Sequence, residues 1–279
     1  MKVRIVTDST ADFTSEEASK YNIDVVPLNV MFGSDVYRDG VDITSDVFYG
    51  KLVEAKELPT TSQPAPGDFL TIFEKAKENN ESVVAICISS EISGTFQQSA
   101  QLAKNMCEYE HIHLVDSRQA TISLKILVLQ AISMRDEGYK SEEIAKFIEE
   151  NKERATILAY VDTLDYLVKG GRVPKTVGLA GNLLSVKPII TLTDGKVDAF
   201  SMARGKKSAL QKLLTLSSEM GIDETLPMLY AHTTPEEIGI EAREFFMSNG
   251  YKYADVVTIG TAIGTHAGPG AVALAFFKK

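Results

Sequence analysis

An N-terminal parallel, doubly wound α/β sheet domain followed by a C-terminal α+β domain with a mixed sheet is the fold class this sequence predicts. Three observations carry that expectation. Short apolar runs alternate with helix signals through the first half of the chain. The second half contains a hairpin signal, Asp194-Gly195, between two strand-like runs. At 279 residues and 44% hydrophobic content, the chain is long for one layered core and apolar enough to fill two. The charged, amphipathic segment Gly138 to Lys152 puts the boundary near Glu150 to Arg154, giving expected domains of 1–152 and 153–279.

In chain order, Val3 to Val6 reads as a strand ending in Thr7-Asp8-Ser9-Thr10, and a helix follows from about Ser15 with Glu16 and Glu17 in its first turn. Val25 to Phe32 reads as a second strand, DVYRDGVDI as a hairpin or loop, and Ser45 as the start of a helix. The proline-rich LPTTSQPAPGDF then interrupts. Asp68 to Asn79 is amphipathic and leads into a buried strand, Val83 to Ile88. Ser89 to Ile92 forms the loop at that strand's carboxyl end, and Ser93 caps a helix from Gly94 to about Asn105. Ile112 to Val115 is a further strand, ending in Asp116-Ser117. Strands alternating with helices imply a parallel sheet covered on both faces.

Thr121 to Arg135 is apolar around most of its circumference, so it must be buried on several sides. Beyond the boundary, Thr156 to Val161 is a strand, Leu164 to Arg172 a short helix ending on glycines, and Val177 to Val186 a helix of small and apolar residues. The hairpin follows, then a helix from Lys206 to Met220, a strand at Met228 to Ala231, a helix from Pro235 to Asn249 and a strand near Asp255 to Ile259. The terminal GTAIGTHAGPGAVALAFF crowds small residues around His266.

Composition narrows the function classes. A formal charge of −9 and no long basic tract argue against wrapping nucleic acid. The two cysteines, Cys87 and Cys107, lack CxxC spacing and read as structural thiols; with His111, His113 and His232 scattered, no metal site is expected. The amino terminus enters a strand within a few residues, and no run approaches bilayer-crossing length. A cytoplasmic, soluble protein is expected, with a monomer favoured over an oligomer.

In an open parallel sheet, ligands bind beyond the carboxyl ends of the strands, where the strand order reverses. Three such ends carry small polar residues: Asp8 and Ser9, Ser89 to Ser93, and Asp116 and Ser117. The plainer alternative is that each caps the helix after it, above all Asp8 and Asp116. The start of the Gly94 helix offers unpartnered amides and the positive end of a backbone dipole. Ser93 and Thr95 add hydroxyls, and Gly94 leaves the backbone open. Thr61 and Ser62 lie in a proline-fixed loop that exposes hydroxyls. No lysine accompanies Ser93, and neither GxxxxGK[ST] nor GxGxxG occurs, so a small charge such as one carboxylate suits this loop better than a phosphate chain. Ser93, His266 and Asp8 or Asp116 could assemble a serine hydrolase or acyltransferase, but the GxSxG elbow is missing.

Taken together, SSEISGTFQQSA, PTTSQPAPGDF, YLVKGGRV, the KPII hairpin, ARGKKSAL and IGTAIGTHAGPGA resemble the ordered signature of the DegV family of bacterial fatty-acid-binding proteins, from Asp8 to Gly270. The resemblance implies a long-chain fatty acid held between two domains and no other cofactor. It implies that Thr61 and Ser93, with the Gly94 amide, hold the carboxylate, that Ser62 and Thr95 stand beside them, and that Arg172 and His266 flank it. It also implies an ATP-dependent fatty acid kinase subunit as partner, which converts the presented carboxylate to an acyl phosphate, docking at Arg204, Lys206 and Lys207. The protein would then bind and present its ligand without turnover of its own. A solvated hairpin exit is the plainer reading of that basic run.

Overall fold

The computed structural model describes residues 1–178 and 185–279. The N-terminal half runs β1 (Val3–Asp8), α1 (Ser15–Tyr21), β2 (Ile23–Val26), β3 (Asn29–Phe32), β4 (Asp35–Arg38), α2 (Ser45–Glu54), β5 (Thr60–Ser62), α3 (Pro66–Glu78), β6 (Ser82–Cys87), α4 (Gln101–Cys107), β7 (Ile112–Asp116), α5 (Thr121–Asp136) and α6 (Ser141–Asn151). β1, β2, β6 and β7 form a parallel sheet in the order β2-β1-β6-β7, with Ile5 opposite both Ile23 and Val84. The order reverses between β1 and β6, which places the switch point beside the Ser89–Ser93 loop.

Two expectations for this half need correction. The single strand expected from Val25 to Phe32 is two strands, divided at Pro27-Leu28. Proline has no N–H for a ladder, and the Leu28 N–H donates to Ser9 Oγ instead (3.0 Å), turning the chain out of the parallel sheet. β3 then joins an antiparallel sheet of order β4-β3-β5. The helix expected from Gly94 opens with a π-helical turn over Thr95–Ala100, in which the Gln101 N–H reaches Phe96 O, and only then becomes α4. The Ser99 hydroxyl donates to Pro64 O at 2.6 Å, anchoring this widened turn to the loop before α3.

The second half runs β8 (Ala155–Tyr160), α7 (Asp165–Lys169), α8 (Lys175–Gly178), β9 (Val186–Thr193), β10 (Lys196–Arg204), α9 (Lys206–Met220), β11 (Leu229–His232), α10 (Glu237–Ser248), β12 (Val256–Thr258), α11 (Thr261–Ala267) and β13 (Val272–Phe277). Most of the helix expected at Val177 to Val186 lies outside the described residues. The mixed sheet has the order β10-β9-β8-β13-β11-β12. Its β11–β12 pair is parallel and its other pairs are antiparallel. The chain's last strand, β13, sits near the centre of this sheet, buried along its whole length.

Layering follows from the apolar faces. Phe69 and Phe73 of α3 and Ala103 of α4 pack on Val83, Ala85 and Cys87 of β6. On the opposite face, Leu124, Leu127 and Val128 of α5 belong to one core with Ile5, Val84 and Ile86 of the parallel sheet and Ile157, Ala159 and Ala275 of the mixed sheet. α5 is therefore sandwiched between two sheets, which is why it is apolar around its circumference. α9 and α10 cover the far side through Leu213, Ala242 and Phe246. Among the described residues, no helix is long and apolar enough to cross a membrane.

Candidate functional site

A hollow of about 870 Å³, open mouth included, lies between the two sheets beside the start of α5. Its floor is the inner face of the mixed sheet. Ile157 and Ala159 of β8, with Val161 just beyond it, face the hollow alternately along the strand, a run of about 13 Å at strand rise. Ala271 and Ala273 lie beside them, and Ile190, Leu192 and Val197 of the β9–β10 hairpin close one side. Ile88, Ile92 and Ala120 close it from the N-terminal half.

Polar groups gather where the two halves meet. Thr61, Ser93, Arg172 and His266 all line the hollow. β5 explains the choice between neighbouring hydroxyls: Thr61 pairs with Val30 of β3 and turns inward, whereas Thr60 and Ser62 turn outward and are exposed. Ser62 Oγ accepts from Asn29 Nδ2 (3.3 Å), and the structure does not place it on the hollow. Ser93 Oγ lies 2.9 Å from Thr95 Oγ1 and accepts the Thr95 N–H at 3.3 Å. Thr95 itself is fully buried and off the lining. Gly94 is also off the lining; a Cβ there would run into the Gln63 side chain, so the space the glycine leaves is filled by protein.

His266 sits on α11, whose residues Ala262, Ile263, His266 and Ala267 face the hollow at helical spacing. Its Nε2 is 2.8 Å from Thr61 Oγ1. Its Nδ1 is buried with no hydrogen-bond partner among the described residues, and Gly170 leaves no room beside it: a Cβ at that position would overlap the ring. Burial, with the nearby Arg172 charge, pushes the imidazole down to about 3. It is therefore neutral near pH 7 and carries one ring proton. With that proton on Nε2 and donated to Thr61, the threonine's own O–H is free for a ligand.

Arg172 Nε donates to Ile92 O (3.2 Å) and Nη1 to Gly170 O (2.5 Å), so its guanidinium ties the Ser93 loop to the end of α7. Burial lowers its pKa. Arg204, Lys206 and Lys207 are exposed where β10 hands over to α9 and are not on the hollow. Arg204 and Lys207, with Met202 and Lys212, border a shallow surface groove.

The three polar strand ends adjoin, but as structural acceptors. Asp8 Oδ2 accepts the Ile88 N–H (2.8 Å), and Asp116 accepts the Ser90 N–H (3.1 Å) and hydroxyl (2.6 Å). Burial raises Asp8 to about 6. Among the described residues no cluster of three or more His, Cys, Asp or Glu side chains could hold a metal ion. The sequence reasoning missed the apolar lining, whose signal is the inward alternation of Ile157, Ala159 and Val161. The site thus offers hydroxyl donors and one guanidinium at the edge of a largely hydrocarbon-walled space.

Comparison with known proteins places this geometry in a family. The family profile described as "Uncharacterised protein, DegV family" matches residues 2–279. A DegV domain-containing protein of Caldanaerobacter subterraneus subsp. tengcongensis is 36% identical over 289 aligned positions, covering 100% of this chain and 99% of the relative. Among solved structures, a fatty-acid-binding DegV family protein from Thermus thermophilus superposes with a TM-score of 0.90 at 30% identity over 100% of both chains. A stearic-acid-binding protein from Eubacterium ventriosum gives 0.89 at 29% identity, covering 100% of this chain and 99% of the other. A match along essentially the entire sequence, to profile and relatives alike, means that this chain belongs to the DegV family.

Proposed function

We propose that this protein binds a long-chain fatty acid between lobes 1–152 and 153–279 and presents its carboxylate to an ATP-dependent fatty acid kinase subunit, without turnover of its own. The observation that carries this reading is one hollow lined by Ser93, Thr61, Arg172 and His266 on its polar side and mostly by aliphatic side chains elsewhere, with Thr10, Thr121 and Thr191 among them. The fatty-acid-binding descriptions of the Thermus and Eubacterium structures support the same ligand class.

The energetics assign different tasks to the two ends of the ligand. Fourteen methylenes, roughly the tail of a 16-carbon acid, are worth about 11 kcal/mol at ~0.8 each, against an association cost of about 4–15 kcal/mol. Hydrogen bonds to the charged head add about 1.5–3 kcal/mol apiece. The tail supplies affinity and the head fixes direction. Hydroxyls of Ser93 and Thr61 replace water at the carboxylate. Arg172 matters more once phosphoryl transfer has added negative charge. Arg204, Lys206 and Lys207 form the exposed basic surface on which the kinase docks.

Ser93 as a hydrolase nucleophile is less well supported. Its hydroxyl faces Thr95, while His266 Nε2 faces Thr61 and the ring is a poor base.

Mass spectrometry of an organic extract of the purified protein tests the ligand class. Long-chain fatty acid is expected in the extract, with much less retained by the Ser93→Ala/Thr61→Ala double variant; an extract without acid, from protein that also takes none up, overturns the reading. Charge reversal at Arg204, Lys206 and Lys207 should abolish acyl-phosphate formation with the kinase and ATP while leaving acid retention intact. Covalent capture of Ser93 by a fluorophosphonate probe would instead favour the hydrolase.

A further inference from the structure

Two buried aspartates of the N-terminal lobe grip the turn that launches α11. Asp39 Oδ1 accepts from both the N–H (3.1 Å) and the hydroxyl (2.6 Å) of Thr261. Asp12 Oδ1 accepts the Gly260 N–H (2.9 Å), and its Oδ2 accepts the Thr121 hydroxyl (2.5 Å). The Tyr49 hydroxyl adds a bond to Ile259 O (2.9 Å). Asp12 is only 6% exposed and Asp39 5%. Asp39 Oδ2 is buried with no partner among the described residues.

This is a costly way to cap a helix. A serine, threonine or asparagine at position 260 would do it locally, whereas burying carboxyl groups carries a desolvation penalty. The N-cap residue is instead Gly260, which has no side chain, and a Cβ there would sit 2.9 Å from Asp12 Oδ1. The capping contact therefore reaches α11 from the other lobe, from residues 248 and 222 positions away in sequence. What it fixes is the rotation and height of a two-turn helix. One face, Gly264, packs on Phe48 and Tyr49, and the opposite face carries His266 to Thr61. Successive residues are about 100° apart around the axis, so even a modest rotation would separate His266 Nε2 from Thr61.

We infer that Asp39 and Asp12 are positioning residues of the head-group site: they set α11 in the register that lets His266 orient the Thr61 hydroxyl. The inference rests on the acid-binding reading above. It differs from a merely structural role in one respect, because it acts on the ligand through Thr61 and not through Ser93 or the tail.

A double-mutant cycle tests it, using the fluorescent 18-carbon cis-parinaric acid and its methyl ester as probes. Asp39→Ala should weaken acid binding about three- to ten-fold and leave ester binding unchanged. Added to Thr61→Ala it should cost nothing further, whereas added to Ser93→Ala it should cost its full amount. Asp39→Asn, which keeps an oxygen for the Thr261 donors, should restore most of the affinity. Should Asp39→Ala not fold, Thr261→Val removes the hydroxyl donor from the other side and enters the same cycle. Equal losses for acid and ester, or additivity with Thr61→Ala, would overturn the positioning role while leaving acid binding intact. Wild-type protein that binds neither probe would overturn the functional reading and this inference with it.

Discussion

The Ser89 hydroxyl donates to the Gly195 carbonyl at 2.7 Å, closing the tip of the β9–β10 hairpin onto the loop that carries Ser93. Gly195 has φ +77° and a Cβ there would strike Ser89 Oγ, so the turn needs glycine both for its conformation and for this approach. Arg118 Nη2 donates to Asp194 O (2.7 Å), and Glu91 pairs with both Arg118 (3.0 Å) and Lys196 (3.3 Å). The hairpin pairs with β8 at Ala159–Ile190 and Tyr160–Ile189, with added bonds from the Val161 N–H to Pro188 O (3.1 Å) and from the Thr191 hydroxyl to Ile157 O (2.7 Å), and it supplies Ile190, Leu192 and Val197 to the hollow. The hairpin is thus a wall of the hollow whose tip is fastened to the N-terminal half by polar contacts.

Those contacts set how readily the wall moves. The ion pairs are partly exposed and therefore weak and screened by salt. Arg118→Ala is expected to speed release of cis-parinaric acid about two- to five-fold, and raising ionic strength should speed release from the wild type more than from the variant, which keeps the Glu91–Lys196 pair. Stopped-flow displacement measures both. Release rates indifferent to Arg118 and to salt would mean that ligand exchange does not pass under this hairpin.

Gly170 and Gly94 make a paired test of what surrounds the proposed head-group site. Both have ordinary negative φ, so alanine strains neither backbone. At Gly170 the new methyl overlaps the His266 ring, which is wedged in place, whereas at Gly94 it meets the end of the Gln63 side chain, which can swing away at the cost of its bond to Gln98. Gly170→Ala should weaken acid binding several-fold, and Gly94→Ala should change it by less than about two-fold. Isothermal titration of both variants decides; the reverse order would place the carboxylate against Gly94.

What the sequence made legible tracks how local the physics is. The strand ending at Ile88, the Asp194-Gly195 turn and the all-round apolar α5 each announce themselves within about ten residues, through periodicity or turn chemistry. β5 does not, because Thr60–Ser62 is a strand only by pairing with β3 some thirty residues earlier, and that pairing decides that Thr61 faces inward while Ser62 does not. The break at Pro27 was readable in principle from the missing donor, as was the apolar VALAFF run of β13. The contribution of Asp12 and Asp39 was not: nothing near either residue hints at a helix more than 200 positions away.

Burial, and after it the charge of Arg172, holds the His266 imidazole down. Arg172→Met keeps the bulk and removes the charge. The His266 pKa, now about 3, should rise in the variant but stay below 6.5, since burial is the larger cause. An NMR titration of the ring carbons follows it. A pKa that does not move would mean that the guanidinium points away from the ring in solution.

Asp12 makes stability depend on pH in the opposite sense to His266. Burial raises the Asp12 carboxyl from its ordinary 3.8 to about 7. The folded state therefore keeps a proton that the unfolded chain releases near pH 4, and the resulting stabilisation is full below pH 3.8 and lost as pH climbs towards 7. His266, depressed from 6.5 to about 3, stabilises the fold above pH 6.5 and loses that contribution as pH falls. Between about pH 4 and 6.5 the two partly cancel. Asp12→Asn is neutral at every pH, so it removes one side of the balance. Relative to wild type the variant should gain on the order of a few kcal/mol as pH rises from 4 to 7, read from urea unfolding at each pH. A difference between the two proteins that stays constant across that window would mean that Asp12 is already ionised in the folded protein at pH 4, with the Gly260 and Thr121 donors outweighing its burial.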